Sequence, residues 1–231
     1  MQLQVNNLTL KYPGAPNPVF KDLNFELKAP GFNSIFGPSG VGKTSLARIL
    51  TGDIPGFSEK IDHRGMTTFL YSYNLERLPG WSSVGKHLIK VTPSDRQDRR
   101  EKLVSVFGLE DCLQQRFSQL SLGQRNRVNL LRYLLQEFDL LIMDESLANV
   151  DEITREKILL TIKAMFPNTH FLYISHNVVE VAKFCNDIVV LRGSRRQPQS
   201  AIVPGQDARI GQEIDPGKLD RTMLEIVNAS S

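Results

Sequence analysis

Gly37-Pro38-Ser39-Gly40-Val41-Gly42-Lys43-Thr44 is the stretch on which the chain turns. Its pattern is G-x-x-x-x-G-K-[ST]. Apolar Ile35 and Phe36 stand just before it, and Leu46, Ile49 and Leu50 follow at helical spacing. A strand, a glycine loop and a helix in that order predict a cradle for phosphate. The glycines let successive N–H groups converge on phosphate oxygens at the positive end of a helix dipole. In such a cradle Lys43 reaches the β- and γ-phosphates, and the Thr44 hydroxyl ligates Mg²⁺. The loop implies a nucleoside triphosphate without saying what it is used for.

Upstream, Leu3, Val5, Leu8 and Leu10 predict a strand over 2–10, and a second is expected over 19–28. Pro30-Gly31 then turns the chain into a buried strand at 32–36. Downstream, the helix is expected to stop near Thr51-Gly52-Asp53, with a turn-rich connection over 54–65. Residues 67–73 are β-branched and aromatic and read as a strand. Between Asn74 and about Glu137 the periodicity becomes helical, with candidate helices over 82–91, 94–107 and 120–136. This block forms a candidate inserted subdomain. Leu140-Leu141-Ile142-Met143 is a continuous apolar run, as in a parallel strand covered on both faces. A helix at about 151–165, a strand at 171–174, a helix at 178–185 and a last core strand at 188–191 complete the alternation. The fold expected is α/β: a wound, largely parallel sheet, N-terminal antiparallel strands, and a mostly helical insertion. Residues 1–193 would be the domain and 194–231 a C-terminal tail with one possible helix at 217–227.

Composition narrows the partners. A net charge of +3 among 231 residues, with no basic stripe interleaved with aromatics, gives no argument for nucleic acid. Two cysteines, Cys112 and Cys185, make neither a disulfide framework nor a metal site, so a reducing compartment is expected. No apolar run reaches the length of a membrane span, so a membrane role needs a partner that supplies one.

A phosphate loop alone does no chemistry. Hydrolysis needs Mg²⁺ held from both sides, a group to activate water, and charge on the transferring phosphoryl. Asp144 ends a buried strand, where ligands bind in open α/β sheets, and is placed to hold Mg²⁺ through water. Glu145 beside it would orient or deprotonate the attacking water. His176 follows another apolar strand and, beside a γ-phosphate, would act as a charge-assisted sensor. Leu120-Ser121-Leu122-Gly123-Gln124 opens a long helix that Ser121 can cap, a second phosphate-binding end.

Together these motifs resemble the ATP-binding subunit of an ABC transporter, with a P-loop NTPase core, over about residues 1–193. Gly37–Thr44 matches the Walker A loop; Leu140–Asp144 with Glu145 matches Walker B and its catalytic glutamate. Leu120–Gln124 resembles the LSGGQ signature, 148–151 the D-loop, and His176 the switch histidine. Tyr12 stands where the family stacks an aromatic on adenine. The resemblance implies ATP and Mg²⁺, with Gly37, Pro38, Ser39, Gly40, Val41, Gly42, Lys43, Thr44 and Ser45 on the nucleotide. It also implies a head-to-tail ATPase pair in which Ser121, Gly123 and Gln124 face the partner's ATP and Asp151 crosses the interface. Transmembrane permease subunits, a second ATPase subunit and a solute-binding protein reached through the complex are the implied partners, at the cytoplasmic face of the inner membrane. Leu78-Pro79-Gly80-Trp81 resembles an element of the nitrate, sulfonate and taurine importer group, so a prokaryotic small-solute importer is expected. An exporter subunit, a degenerate ATP-binding regulator and a soluble non-transport ABC ATPase are the alternatives.

Three features depart from the family pattern. No Gln occurs between Gln4 and Gln97, so the Q-loop glutamine is missing, and Tyr73 or Asn74 stands in its region. Leu122 replaces the first signature glycine, and the stretch from Lys43 to Tyr73 is short. The departures predict slower hydrolysis than in a consensus subunit, or a composite dimer with one better site.

Overall fold

The computed structural model describes residues 2–74, 76–78 and 80–230. In chain order the strands are β1 (Leu3–Leu10), β2 (Phe20–Leu27), β3 (Gly31–Phe36), β4 (Ile61–Asp62), β5 (Phe69–Tyr73), β6 (Leu140–Asp144), β7 (His170–Ile174), β8 (Asp187–Leu191) and β9 (Ser200–Pro204). The helices are α1 (Lys43–Leu50), α2 (Val84–Val91), α3 (Gln97–Val106), α4 (Leu122–Leu134), α5 (Glu152–Met165), α6 (Val178–Phe184) and α7 (Pro216–Ser230).

Among the described residues the core sheet runs β5-β6-β7-β3-β8-β9, parallel throughout except at the last pairing. Apolar runs suit it because both faces are covered. Leu141, Met143, Phe171 and Tyr173 face one core with the helical block and α5 to α7. Leu140, Ile142, Leu172 and Ile174 face a second core shared with α1 and the antiparallel sheet β2-β1-β4. The expected α/β architecture is therefore present, with its helical segments between β5 and β6.

Two expectations need correction. The connection over 54–65 contains β4, which pairs with β1 through Gln4↔Asp62 and Val5↔Ile61. Nor is β8 the last strand: β9 lies antiparallel beside it, from Leu191↔Ser200 to Asp187↔Pro204. The segment after 193 is thus joined to the sheet. Val203 and Ile226 enter the main core, and the Arg192 Nε donates to the Ala229 carbonyl at 2.7 Å. Lys163 fixes the turn between β9 and α7, donating to the Phe184 and Ala208 carbonyls at 2.8 and 2.6 Å and pairing with Asp207.

The β5–β6 register is pinned at its start by Asp139. Its carboxylate accepts from the Thr67 N–H at 2.7 Å, the Thr68 N–H at 2.9 Å and the Thr67 hydroxyl at 3.1 Å. The two backbone bonds hold this carboxyl below its usual range. A depressed folded-state pKa gives stability that is present above the unfolded value, about 3.9, and lost as pH falls through the folded value. Asp139→Asn is therefore expected to destabilise by roughly 1 kcal/mol at neutral pH. Denaturant midpoints of the two proteins should converge in acid.

Candidate active site

β3 runs straight into the phosphate loop, and three of its glycines take left-handed or strongly rotated backbone. Gly42, φ 105°, precedes α1 directly, and a Cβ there would lie 2.5 Å from the Val19 side chain and 2.7 Å from Phe20. No other residue fits a backbone so rotated and so close to its neighbours. Gly37 turns inward against the Leu191 carbonyl, and Val41 is buried beside it. The other face of the loop, Ser39, Gly40, Gly42, Lys43, Thr44 and Ser45, lines a cavity of about 440 Å³.

The Lys43 ammonium lies along the loop, donating to the Gly37 carbonyl at 2.7 Å and the Pro38 carbonyl at 3.0 Å. Burial lowers its pKa, and the negative charges of Asp144 and Glu145 oppose that shift. The Thr44 hydroxyl donates to Asp144 Oδ2 at 3.0 Å across the cavity floor. Glu145, at φ 50°, turns sharply off the end of β6, its N–H donating to the Ile174 carbonyl at 3.0 Å. That twist brings Glu145 Oε1 to 2.5 Å from His176 Nε2, at the end of β7. Lys43, Thr44, Asp144, Glu145 and His176 thus meet in one cavity at the carboxyl ends of β3, β6 and β7. Tyr12 sits at the rim, half exposed, with its hydroxyl donating to Ser45 Oγ at 3.0 Å.

Four lining residues escaped the sequence reading of the site or were left without a settled role: Arg48, Tyr71, Tyr73 and Asn74. The Tyr71 hydroxyl donates to Asp144 Oδ2 at 2.8 Å, so that oxygen accepts from a threonine and a tyrosine at once. Burial first, then the charge of Asp144 and this bond, push the phenol well above its usual pKa and keep it protonated. An aromatic on a strand signals packing, and no spacing rule marks it as a partner of a residue 73 positions on. Tyr73 pairs in register with Asp144 on the neighbouring strand, and both Tyr73 and Asn74 line the cavity. Asn74 Oδ1 is buried and has no hydrogen-bond partner among the described residues.

The remaining expected residues lie elsewhere. Ser121, Gly123 and Gln124 do not line this cavity. They open α4, where Ser121 and Gln124 form a reciprocal capping box, Gln124 N to Ser121 Oγ at 3.2 Å and Ser121 N to Gln124 Oε1 at 2.8 Å. A Cβ on Gly123 would stand 2.4 Å from the Asn149 carbonyl, so glycine here serves close packing on the 146–151 turn. Leu122 points to solvent, 52% exposed. Asp151 caps α5, accepting from the Thr154 N–H at 2.9 Å. Tyr73 and Glu76 are clasped to α4. Asn129 donates to the Tyr73 carbonyl at 3.2 Å, and Glu76 accepts from Arg132 and from the Tyr133 hydroxyl. Of the 78–81 element, Pro79 lies outside the described residues; Trp81 is exposed.

The ABC transporter family matches residues 20–148, more than half of the chain. The chain belongs to that family. This ABC ATPase is 32% identical over 204 residues to the taurine import ATP-binding protein TauB of Pseudomonas savastanoi pv. phaseolicola, covering 82% of this chain and 78% of that one. It is 30% identical over 203 residues to the molybdenum import ATP-binding protein ModC of Saccharophagus degradans, covering 80% of this chain and 56% of that one. Its fold matches a solved ABC transporter in an inward-facing conformation with a TM-score of 0.70 at 21% identity, over 87% of this chain and 82% of that one. The ABC ATPase family makes the chain an ATP-binding and ATP-hydrolysing transporter subunit. Among the described residues no helix is long and apolar enough to cross a membrane.

Proposed function

We propose that this chain hydrolyses MgATP in the cavity at the ends of β3, β6 and β7 and so drives a prokaryotic importer of a small solute. It would act as one of a head-to-tail pair of ATPase subunits on permease subunits, at the cytoplasmic face of the membrane, with a solute-binding protein reached through the complex. The observation that carries this reading is the meeting of Lys43, Thr44, Asp144, Glu145 and His176 in one cavity. The import direction is supported by relatives that bear the names of taurine and molybdenum import proteins.

The donor set suits Mg²⁺. Among the described residues no three carboxylate, histidine or cysteine side chains are grouped so that they alone could hold a metal ion, so there is no all-protein cage. One carboxylate, one hydroxyl and an unpartnered Asn74 oxygen are the hard ligands of a cation that keeps waters and takes phosphate oxygens as well. Thr44 and Asp144 would hold it. Bound there, Mg²⁺ supplies positive charge that offsets the charge developing on the phosphates. Lys43 would leave its loop carbonyls for phosphate oxygens. Glu145 would accept a proton from the attacking water as the water oxygen bonds to the γ-phosphorus and the bond to the ADP oxygen breaks. His176, held against Glu145, would fix that carboxylate and face the γ-phosphate.

Tyr71 would keep Asp144 aimed at the cation. Tyr71→Phe is expected to weaken Mn²⁺ binding about tenfold, read by electron paramagnetic resonance titration with nucleotide present. Unchanged Mn²⁺ affinity would remove Tyr71 from that role. The whole reading is tested by purifying the full chain from detergent-solubilised membranes and identifying what accompanies it. Permease subunits and ATP-dependent solute uptake by the reconstituted complex are expected. Recovery with soluble partners only would overturn the transport reading.

A further inference from the structure

His176 is presented by a turn whose two flanking residues fasten to one buried carboxylate. Glu180, on α6 and 6% exposed, accepts at Oε2 from the Tyr173 hydroxyl at 2.8 Å and the Ser175 hydroxyl at 3.1 Å. Its Oε1 accepts from Asn177 Nδ2 at 3.1 Å and pairs with Arg155 Nε at 2.9 Å. Ser175 Oγ in turn accepts the Asn177 N–H at 3.1 Å, and Asn177 Oδ1 caps α6 through the Val179 and Glu180 N–H groups. Every acceptor direction of Glu180 is thus used by the strand before His176, by the residues on either side of it, or by α5.

Arg155 matters because of where it starts. It lies one turn into α5, the helix that Asp151 caps and the 146–151 turn enters. A rigid helix therefore joins that turn to Glu180, and Glu180 joins it to the backbone on both sides of His176. A buried carboxylate with four directional donors tolerates little displacement, because a lost partner leaves charge uncompensated in a dry site.

We propose that Glu180 is the positioning residue of the Glu145–His176 pair, and that the Arg155–Glu180 contact transmits the position of the 146–151 turn to His176. The proposal rests on the reading that His176 takes part in hydrolysis, and it assigns the setting of that histidine to a residue that touches no nucleotide.

The test is a double-mutant cycle on the full chain, with phosphate release and fluorescent-nucleotide affinity measured for Glu180→Gln, His176→Ala and the pair. Glu180→Gln is expected to lower kcat about tenfold or more by misplacing His176, with nucleotide affinity held within about twofold. In the His176→Ala background it should have no further effect on kcat, because its route to the chemistry is already gone. Equal losses in both backgrounds would overturn the proposal and leave Glu180 a part of the fold alone. Wild-type turnover in His176→Ala by itself would overturn the role of His176 in hydrolysis, and this inference with it. Should Glu180→Gln not fold, Arg155→Met, at a partly exposed position, gives the same cycle, with Arg155→Lys expected to restore part of the loss. No loss with Arg155→Met overturns the α5 link.

Discussion

Glu145→Gln is expected to lower ATP turnover by about 10²- to 10⁴-fold while leaving nucleotide binding close to that of the parent chain. The substitution keeps the shape of a side chain that turns off β6 at φ 50° and reaches His176 at 2.5 Å, but it removes the site for a proton. Lys43 and Thr44, which the phosphates would meet, are untouched. Phosphate release and fluorescent-nucleotide titration on the same preparation separate the two effects. Turnover within about threefold of the parent would place the proton acceptor on another group, and joint loss of binding and turnover would make Glu145 a structural residue.

Gly205→Ala is expected to destabilise the protein by roughly 3 kcal/mol. A Cβ there would stand 2.1 Å from the Cys185 carbonyl oxygen and 2.9 Å from its carbon, both backbone atoms that cannot rotate away. The Gly205 N–H also donates to the Asn186 carbonyl at 2.6 Å, so the chain is held against the end of α6. Relieving the overlap means lifting β9 from β8 or moving α6, and α6 carries Glu180. A lowered denaturant midpoint with an unchanged slope checks the expectation. An unaltered midpoint would mean that the segment after β9 yields easily.

The parts of the molecule set by short-range rules were readable from the chain. The phosphate loop needs its residues at fixed spacing, and Asp144 and His176 each follow an unbroken apolar strand, so periodicity marked their positions. β4 has two residues and no pattern to detect. β9 escaped because it is an edge strand with Ile202 exposed and Val203 buried, set among Pro, Gln and Ser residues that signal a loop. Tyr71 and Glu180 escaped for another reason. Tyr71 acquires its partner only when β5 meets β6, 73 positions on, and Glu180, though near Ser175 and Asn177 in sequence, is pinned by Arg155 only when α5 packs on α6. Gln124, expected to face the partner's ATP, also has a local role, since its side chain closes the capping box of α4.

The bonds of Tyr73 and Glu76 to α4 join the end of β5 to the helix that Ser121 heads. Asn129, which holds the Tyr73 carbonyl, and Ser121, at the head of the same helix, are separated by eight residues of rigid helix, a span of about 12 Å. Force applied at Glu76 is passed through Arg132 and Tyr133 into α4 without first crossing the sheet. Since Tyr73 also stands in register with Asp144, one short stretch touches both the carboxylate of the cavity and the helix that ends in Ser121.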